Sequence, residues 1–158
     1  LEDGRTLLVI QVMLRLFMGI ALDDPFSVLR KRLSSEFLGR TSNCILVDMH
    51  GETTSEKNAF AHYFDGRVTS ILGTHTHIPT ADARLLDNKT AYQTDVGMTG
   101  DYNSVIGYDK ENPIHGFTMG YRMEGRFKPA MGKGTICGAF IESDDKTGLA
   151  NIIETFQL

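Results

Sequence analysis

Two apolar, β-rich runs, Cys44–Met49 and Val68–Gly73, bracket a helical pattern that stops at Asp65-Gly66, and this strand, helix, strand order constrains the chain more than any other feature. Parallel strands joined by such a crossover are right-handed in nearly all folds, which places both strand C-terminal ends on one edge of an open sheet. Ligands bind along that edge. Each run delivers histidine there: His50 follows the first, and Gly73-Thr74-His75-Thr76-His77 follows the second before Pro79 stops the strand. In extended chain, residues i and i+2 share a side, so His75 and His77 are expected to present both imidazoles to one point, as a metal ion or a dinuclear pair requires. A hydrogen-bonded surface or core histidine is the alternative for each taken singly.

The remaining elements are read around that unit. Thr6–Met13 is a further strand, fed by a turn at Glu2-Asp3-Gly4-Arg5. Asp24 and Pro25 make an N-cap and first-turn pair, and Phe26, Leu29, Leu33 and Phe37 recur at helical spacing, so a helix is expected over Pro25–Leu38. Its Arg30-Lys31-Arg32 run is a solvated face. Thr53 or Thr54 caps the central helix, which runs through Phe64 and carries His62 as an exposed polar residue. Thr80–Leu86 is a short segment, Asp87-Asn88-Lys89 a turn, and Thr90–Val96 another strand. That strand ends in Asp95-Val96-Gly97-Met98-Thr99-Gly100-Asp101, whose glycines let the backbone approach a ligand closely or serve a plain turn. A short helix over Asp109–Met119 bears His115, which nothing ties to the other histidines. Phe127-Lys128-Pro129, Gly134–Glu142 and Leu149–Phe156 form a β-rich tail with a hairpin turn at Asp144–Gly148.

With 158 residues, 41% of them hydrophobic, the chain supports a single α/β domain with a true core. A net charge of −4 excludes a global attraction to nucleic acid or to an anionic membrane. The one membrane candidate, Leu7–Leu22, is interrupted by Gln11 and Arg15 and falls short of the about 20 residues a span needs. Cys44 and Cys137 sit in apolar runs without Cys-x-x-Cys spacing; they are expected to be buried free thiols, and a cytoplasmic location follows.

Three blocks, Asp48-Met49-His50-Gly51-Glu52-Thr53-Thr54-Ser55-Glu56-Lys57, Gly73-Thr74-His75-Thr76-His77 and Asp95-Val96-Gly97-Met98-Thr99-Gly100, resemble in order and spacing the YmdB-like branch of the calcineurin-type metallophosphoesterases. The resemblance implies a sandwich of two mixed sheets flanked by helices, and a centre of two divalent ions, iron or manganese, that hydrolyses phosphodiesters such as 2′,3′-cyclic and related cyclic nucleotides. It assigns His50 and His75 to one metal and His77 to the other. Asp48 and Asp95 become supporting carboxylates, Asp48 orienting a histidine, while Gly97 and Thr99 are expected at the substrate. The family's amino-terminal part supplies an aspartate, a bridging glutamate beside an asparagine, and a Gly-Asn-His motif that gives a ligand and the proton donor. None of these occurs here, so the chain resembles the carboxyl-terminal portion of such a domain, with an amino-terminal segment and a second copy of the chain as candidate partners. Leu14 also stands where the family tends to have a small residue.

Other assignments fit less of the sequence. Asp48-x-His50 resembles the Asp-x-His that opens metal sites across the superfamily, but the Gly-Asp and Gly-Asn-His that should follow are missing. A non-catalytic metal-binding or assembly module accounts for the missing ligands. A cupin-type His₃ site needs a glutamate soon after His77 and an all-β barrel, and the sequence offers neither.

Overall fold

The computed structural model describes residues 1–158. In chain order the elements are β1 (Leu7–Met13), α1 (Pro25–Arg32), β2 (Cys44–His50), α2 (Thr54–Phe64), β3 (Ser70–Thr74), β4 (Arg84–Leu85), β5 (Ala91–Gln93), β6 (Thr99–Asp101), α3 (Glu111–Met119), β7 (Gly134–Ser143) and β8 (Ala150–Gln157). One sheet has the order β1-β2-β3-β5-β4, parallel except for the edge strand β4. The second, β6-β7-β8, is wholly antiparallel rather than mixed. The Asp144–Gly148 hairpin, with Gly148 at φ 73°, permits only antiparallel pairing of β7 with β8.

Helices α1 and α2 cover one face of the parallel sheet. Phe26 of α1 meets Phe60 edge-on at 5.1 Å between centroids, and Phe60 and Phe64 of α2 lie fully buried over Ile45, Val47, Met49 and Ile71. On the opposite face, Ala139, Ile141 and Ser143 of β7 look across a cleft of about 290 Å³ toward Leu7, Cys44, Leu46 and Leu72. Cys44 Sγ lies 3.3 Å from Ser143 Oγ; both cysteines are free, and both are half-buried rather than buried. The outer face of the second sheet carries exposed Phe140, Ile152 and Phe156, so the helices flank the first sheet.

Two elements end short of expectation, each because side chains capture the backbone. α1 ends at Arg32 instead of Leu38: the Ser34 hydroxyl donates to the Lys31 carbonyl at 2.7 Å, and Phe37 is left 53% exposed. β5 stops at Gln93 instead of Val96, because the Thr94 and Asp95 amides donate to Asp82 and Thr80 side chains rather than to a ladder. Thr53 occupies the N-cap of α2 but makes no capping bond, and its buried Oγ1 has no partner. The expected cap of α1 does form: Asp24 accepts from the Phe26 and Ser27 amides at 3.2 Å each. Asp24→Ala is expected to lower stability by about 1 kcal/mol, read as a shift of the urea midpoint. An unmoved midpoint would mean that Pro25 alone sets the helix start.

Leu14 is fully buried against Gly51, whose missing side chain leaves the room: a Cβ there would lie 2.6 Å from Leu14 Cβ. The large residue therefore packs without displacing the strand exit that precedes the site. No helix is long and apolar enough to cross a membrane.

Candidate metal centre

Strand register puts the first histidine in place. β2 and β3 run parallel with His50 opposite Thr74, so His50 and His75 emerge side by side at the C-terminal edge. Their rings meet edge to face, and His75 Nδ1 lies 3.2 Å from His50 Nε2. Behind His50 stands a relay: Thr74 Oγ1 donates to Asp48 Oδ1 at 2.8 Å and lies 2.9 Å from His50 Nδ1. A hydroxyl has one proton, and the carboxylate takes it, so the Thr74 oxygen accepts from His50 Nδ1–H. That leaves the lone pair of His50 on Nε2, facing His75. Burial pushes the His50 imidazole below its ordinary pKa, and neighbouring His75 acts in the same direction, so the neutral form is favoured. On its far side His75 Nε2 meets Glu52 Oε2 at 2.8 Å.

His77 does not join them. The rule that i and i+2 share a side holds for extended chain, but β3 ends at Thr74, and His75 and His77 have φ of 138° and 67°. His77 turns to the Ile106 carbonyl, 3.0 Å from its Nδ1. Accordingly no three His, Cys, Asp or Glu side chains gather at metal-binding spacing. Positive φ at non-glycine residues is strain that the surroundings must hold. Asp95 supplies much of that hold, accepting from the Thr76 amide at 2.9 Å through Oδ2 and from the Gly97 amide at 2.9 Å through Oδ1.

Lys57, for which the sequence suggested no role, anchors Asp95. Its ammonium is fully buried and spends its three donors on the Thr74 carbonyl at 3.0 Å, the Thr94 carbonyl at 2.9 Å and Asp95 Oδ2 at 3.3 Å. A signal was available: Lys57, Phe60, Ala61 and Phe64 follow i, i+3, i+4, i+7, and a lysine on such a buried stripe needs a partner. Glu52 and Thr74 were likewise missed, having no signature outside their contacts.

The glycine loop serves the turn more than it offers donors. Gly97, at φ 81°, gives its N–H to Asp95, and the Met98 N–H goes to the Tyr102 hydroxyl at 3.0 Å, so neither amide is free for a phosphate as the sequence suggested. Thr99 is exposed in β6, opposite Ile136. His62 is exposed on α2, and His115 packs edge-on against Tyr121 at 4.9 Å.

A family model described as YmdB-like protein matches residues 1–156. The chain belongs to that family. It is 45% identical over 152 residues to a 2′,3′-cyclic-nucleotide 2′-phosphodiesterase of Bacillus subtilis (strain 168), an alignment covering 96% of this chain and 56% of the relative. It is also 45% identical over 125 residues to a putative phosphatase/phosphodiesterase of Mycoplasma pneumoniae, covering 78% of this chain and 42% of the relative. A crystal structure of a hypothetical protein from Thermus thermophilus superposes with a TM-score of 0.86 at 42% identity, over 98% of this chain and 58% of that one. A novel phosphatase from Mycoplasma pneumoniae superposes at 0.81 with 36% identity, over 95% and 53%. The chain spans about half the length of the curated relatives it matches.

Within this YmdB-like chain the donor set can be compared with what a divalent ion needs. Ligands at about 2.0–2.1 Å sit about 2.9 Å apart at a right angle and about 3.4 Å apart at the tetrahedral angle. The 3.2 Å between His50 Nε2 and His75 Nδ1 falls between these. Two imidazole nitrogens thus fit two positions around one first-row ion, and no third His, Cys, Asp or Glu side chain joins them at metal-binding spacing.

Proposed function

We propose that this chain is the carboxyl-terminal portion of a cytoplasmic, metal-dependent phosphodiesterase domain acting on 2′,3′-cyclic or related cyclic nucleotides. The observation that carries the reading is the convergence of His50 Nε2 and His75 Nδ1 at the sheet edge, with Asp48 and Thr74 behind them. A pair of iron or manganese ions, when bound, supplies Lewis-acid stabilisation of the attacking and leaving oxygens. His50 and His75 would hold one ion, and His77, once released from Ile106, would contribute to the other. Thr99 contacts the substrate, and Asp95 with Lys57 keeps the His75–His77 turn in place.

An amino-terminal segment provides the missing carboxylates and the proton donor. Support comes from the inner face of edge strand β1, where Leu7 and Val9 are 45% and 58% exposed although parallel sheets are covered on both faces. The relatives' names support phosphodiester chemistry, and their greater length leaves room for such a segment. A non-catalytic assembly module is the second reading, favoured by the lack of three clustered donors.

The test joins the chain to the matching amino-terminal half of the Bacillus relative and follows turnover of 2′,3′-cyclic AMP with Mn²⁺, using His50→Ala as the blank. The joined protein is expected to turn over at least about 10²-fold faster than the 158-residue chain, the lower end of what a general acid contributes. Equal rates that both need His50 would mean the chain completes its own site. No turnover by a folded joined protein would favour the assembly module.

A further inference from the structure

Glu52 has no part in the chemistry described so far, yet it approaches His75 more closely than His50 does. Its Oε2 lies 2.8 Å from His75 Nε2, whereas His50 Nε2 stands 3.2 Å from the other ring nitrogen, Nδ1. We infer that Glu52 is a positioning residue, which holds the Nε2–H of His75 and so keeps the lone pair of Nδ1 turned toward His50, where a divalent ion is to bind. The inference deepens the function proposed above and rests on it for the ion.

The backbone does little to orient this ring. His50 lies inside β2, where its register with Thr74 sets its direction, whereas β3 has ended at Thr74 and His75 stands at φ 138° with its side chain 31% exposed. What the two ring nitrogens meet therefore decides how the ring sits. A neutral imidazole has one proton, and two acceptors compete for it: His50 Nε2, whose own Nδ1–H is given to Thr74, and the Glu52 carboxylate. A hydrogen bond to an ionised carboxylate is roughly twice as strong as one between neutral groups, so the proton stays on Nε2. The opposite tautomer would also set a lone pair of His75 against the carboxylate charge. The two histidines then face each other with lone pairs 3.2 Å apart, each ring held from behind by a different acceptor. Facing lone pairs repel, and a cation between them removes the repulsion.

A tight exit from β2 brings Glu52 to this place. Gly51 donates its N–H to the Thr74 carbonyl at 3.2 Å, which ties the residue before Glu52 to the residue before His75. Glu52 then precedes α2, whose N-terminal N–H groups favour a carboxylate. It is placed to orient and not to ligate: Nδ1 and Nε2 look out from opposite sides of the ring, and His50, Glu52 and His75 do not gather at metal-binding spacing. Nor does it brace the fold, because its side chain is 50% exposed and such pairs add little stability.

The test begins without metal. Long-range ¹H–¹⁵N spectra of the histidine rings are recorded on the 158-residue chain and on Glu52→Ala at about pH 8, where imidazole is ordinarily neutral. In the parent, His75 is expected to carry a proton on Nε2. In Glu52→Ala that proton should move to Nδ1, where it bonds His50 Nε2, and Glu52→Gln, whose amide can accept or donate, should give a mixture. Zn²⁺, a diamagnetic probe of paired imidazoles, is then titrated while the His50 and His75 rings are followed. Glu52→Ala should weaken Zn²⁺ by about tenfold, the low end of losing a partner that orients a ligating histidine, with the urea midpoint unmoved. A parent His75 with its proton on Nδ1 alone would overturn the inference, as would Zn²⁺ affinity of Glu52→Ala within about twofold of the parent. Affinity lost with the tautomer unchanged would overturn it too, marking Glu52 as a ligand or a brace of the fold, and the urea midpoint tells which. If neither parent ring responds to Zn²⁺, the metal-centre reading fails, and the metal-free spectra still decide whether Glu52 positions His75.

Discussion

Lys57→Met is expected to destabilise the chain by about 3–5 kcal/mol, the range for removing one partner of a buried ion pair. Methionine nearly matches the lysine stem in length and fills the same space on α2, so the loss is electrostatic and not a cavity. What it leaves behind is specific: Asp95 keeps a buried charge, and the Thr74 and Thr94 carbonyls at the ends of β3 and β5 lose a donor each. Urea denaturation measures the change directly. Adding Asp95→Asn to Lys57→Met removes the orphaned charge and should recover more than about 1 kcal/mol relative to the sum of the two single losses. A Lys57→Met cost below about 1 kcal/mol would mean that solvent reaches Asp95, and that Lys57 is not what holds the His75–His77 turn.

The value of that substitution lies in what local pattern could and could not foretell. The β2-α2-β3 unit was legible because its causes are local: a period of two in the strands, a period of 3.6 in the helix, and Asp65-Gly66 as the stop. Convergence of His50 and His75 then followed from crossover handedness and register, both general properties of parallel sheets. The departure of His77 was not legible. It depends on positive φ at His75 and His77, held by Asp95 from 19 residues beyond Thr76, and Asp95 is in turn held by Lys57 from 38 residues before it. Such contacts leave no trace in the spacing of His75 and His77, and the extended-chain rule fails where the strand has already ended. The lost end of α1 has a similar cause: Phe37 continues the helical spacing, but Ser34 caps the chain back onto Lys31 first. Glu52 and Thr74 act through geometry alone. Tyr108 and Phe127 meet through a bridge between Tyr108 and Pro129, which no periodicity announces.

Thr74→Val is expected to lower Mn²⁺ affinity of the joined domain by about 10–100-fold, the usual cost of losing a partner that orients a ligating histidine. Valine keeps the β-branched shape that suits the end of β3, so the strand and its register with His50 should persist. The change removes one hydroxyl, and with it both the 2.8 Å bond to Asp48 and the 2.9 Å contact to His50 Nδ1. His50 is then free to carry its proton on either nitrogen, and each molecule with the proton on Nε2 has lost the lone pair facing His75. A merely structural role for Thr74 predicts otherwise: stability falls, Thr74→Ser does not restore affinity, and the tautomer is unchanged. The ¹⁵N shifts of the His50 ring separate the two without any metal present, since the parent should hold the proton on Nδ1 and the valine variant should show a mixture. Asp48→Asn acts through the same relay, so its loss and that of Thr74→Val should fall well short of additive. Full additivity, or Mn²⁺ affinity within twofold of the parent, would mean that Asp48 and Thr74 do not set the His50 tautomer and that another contact orients the ring.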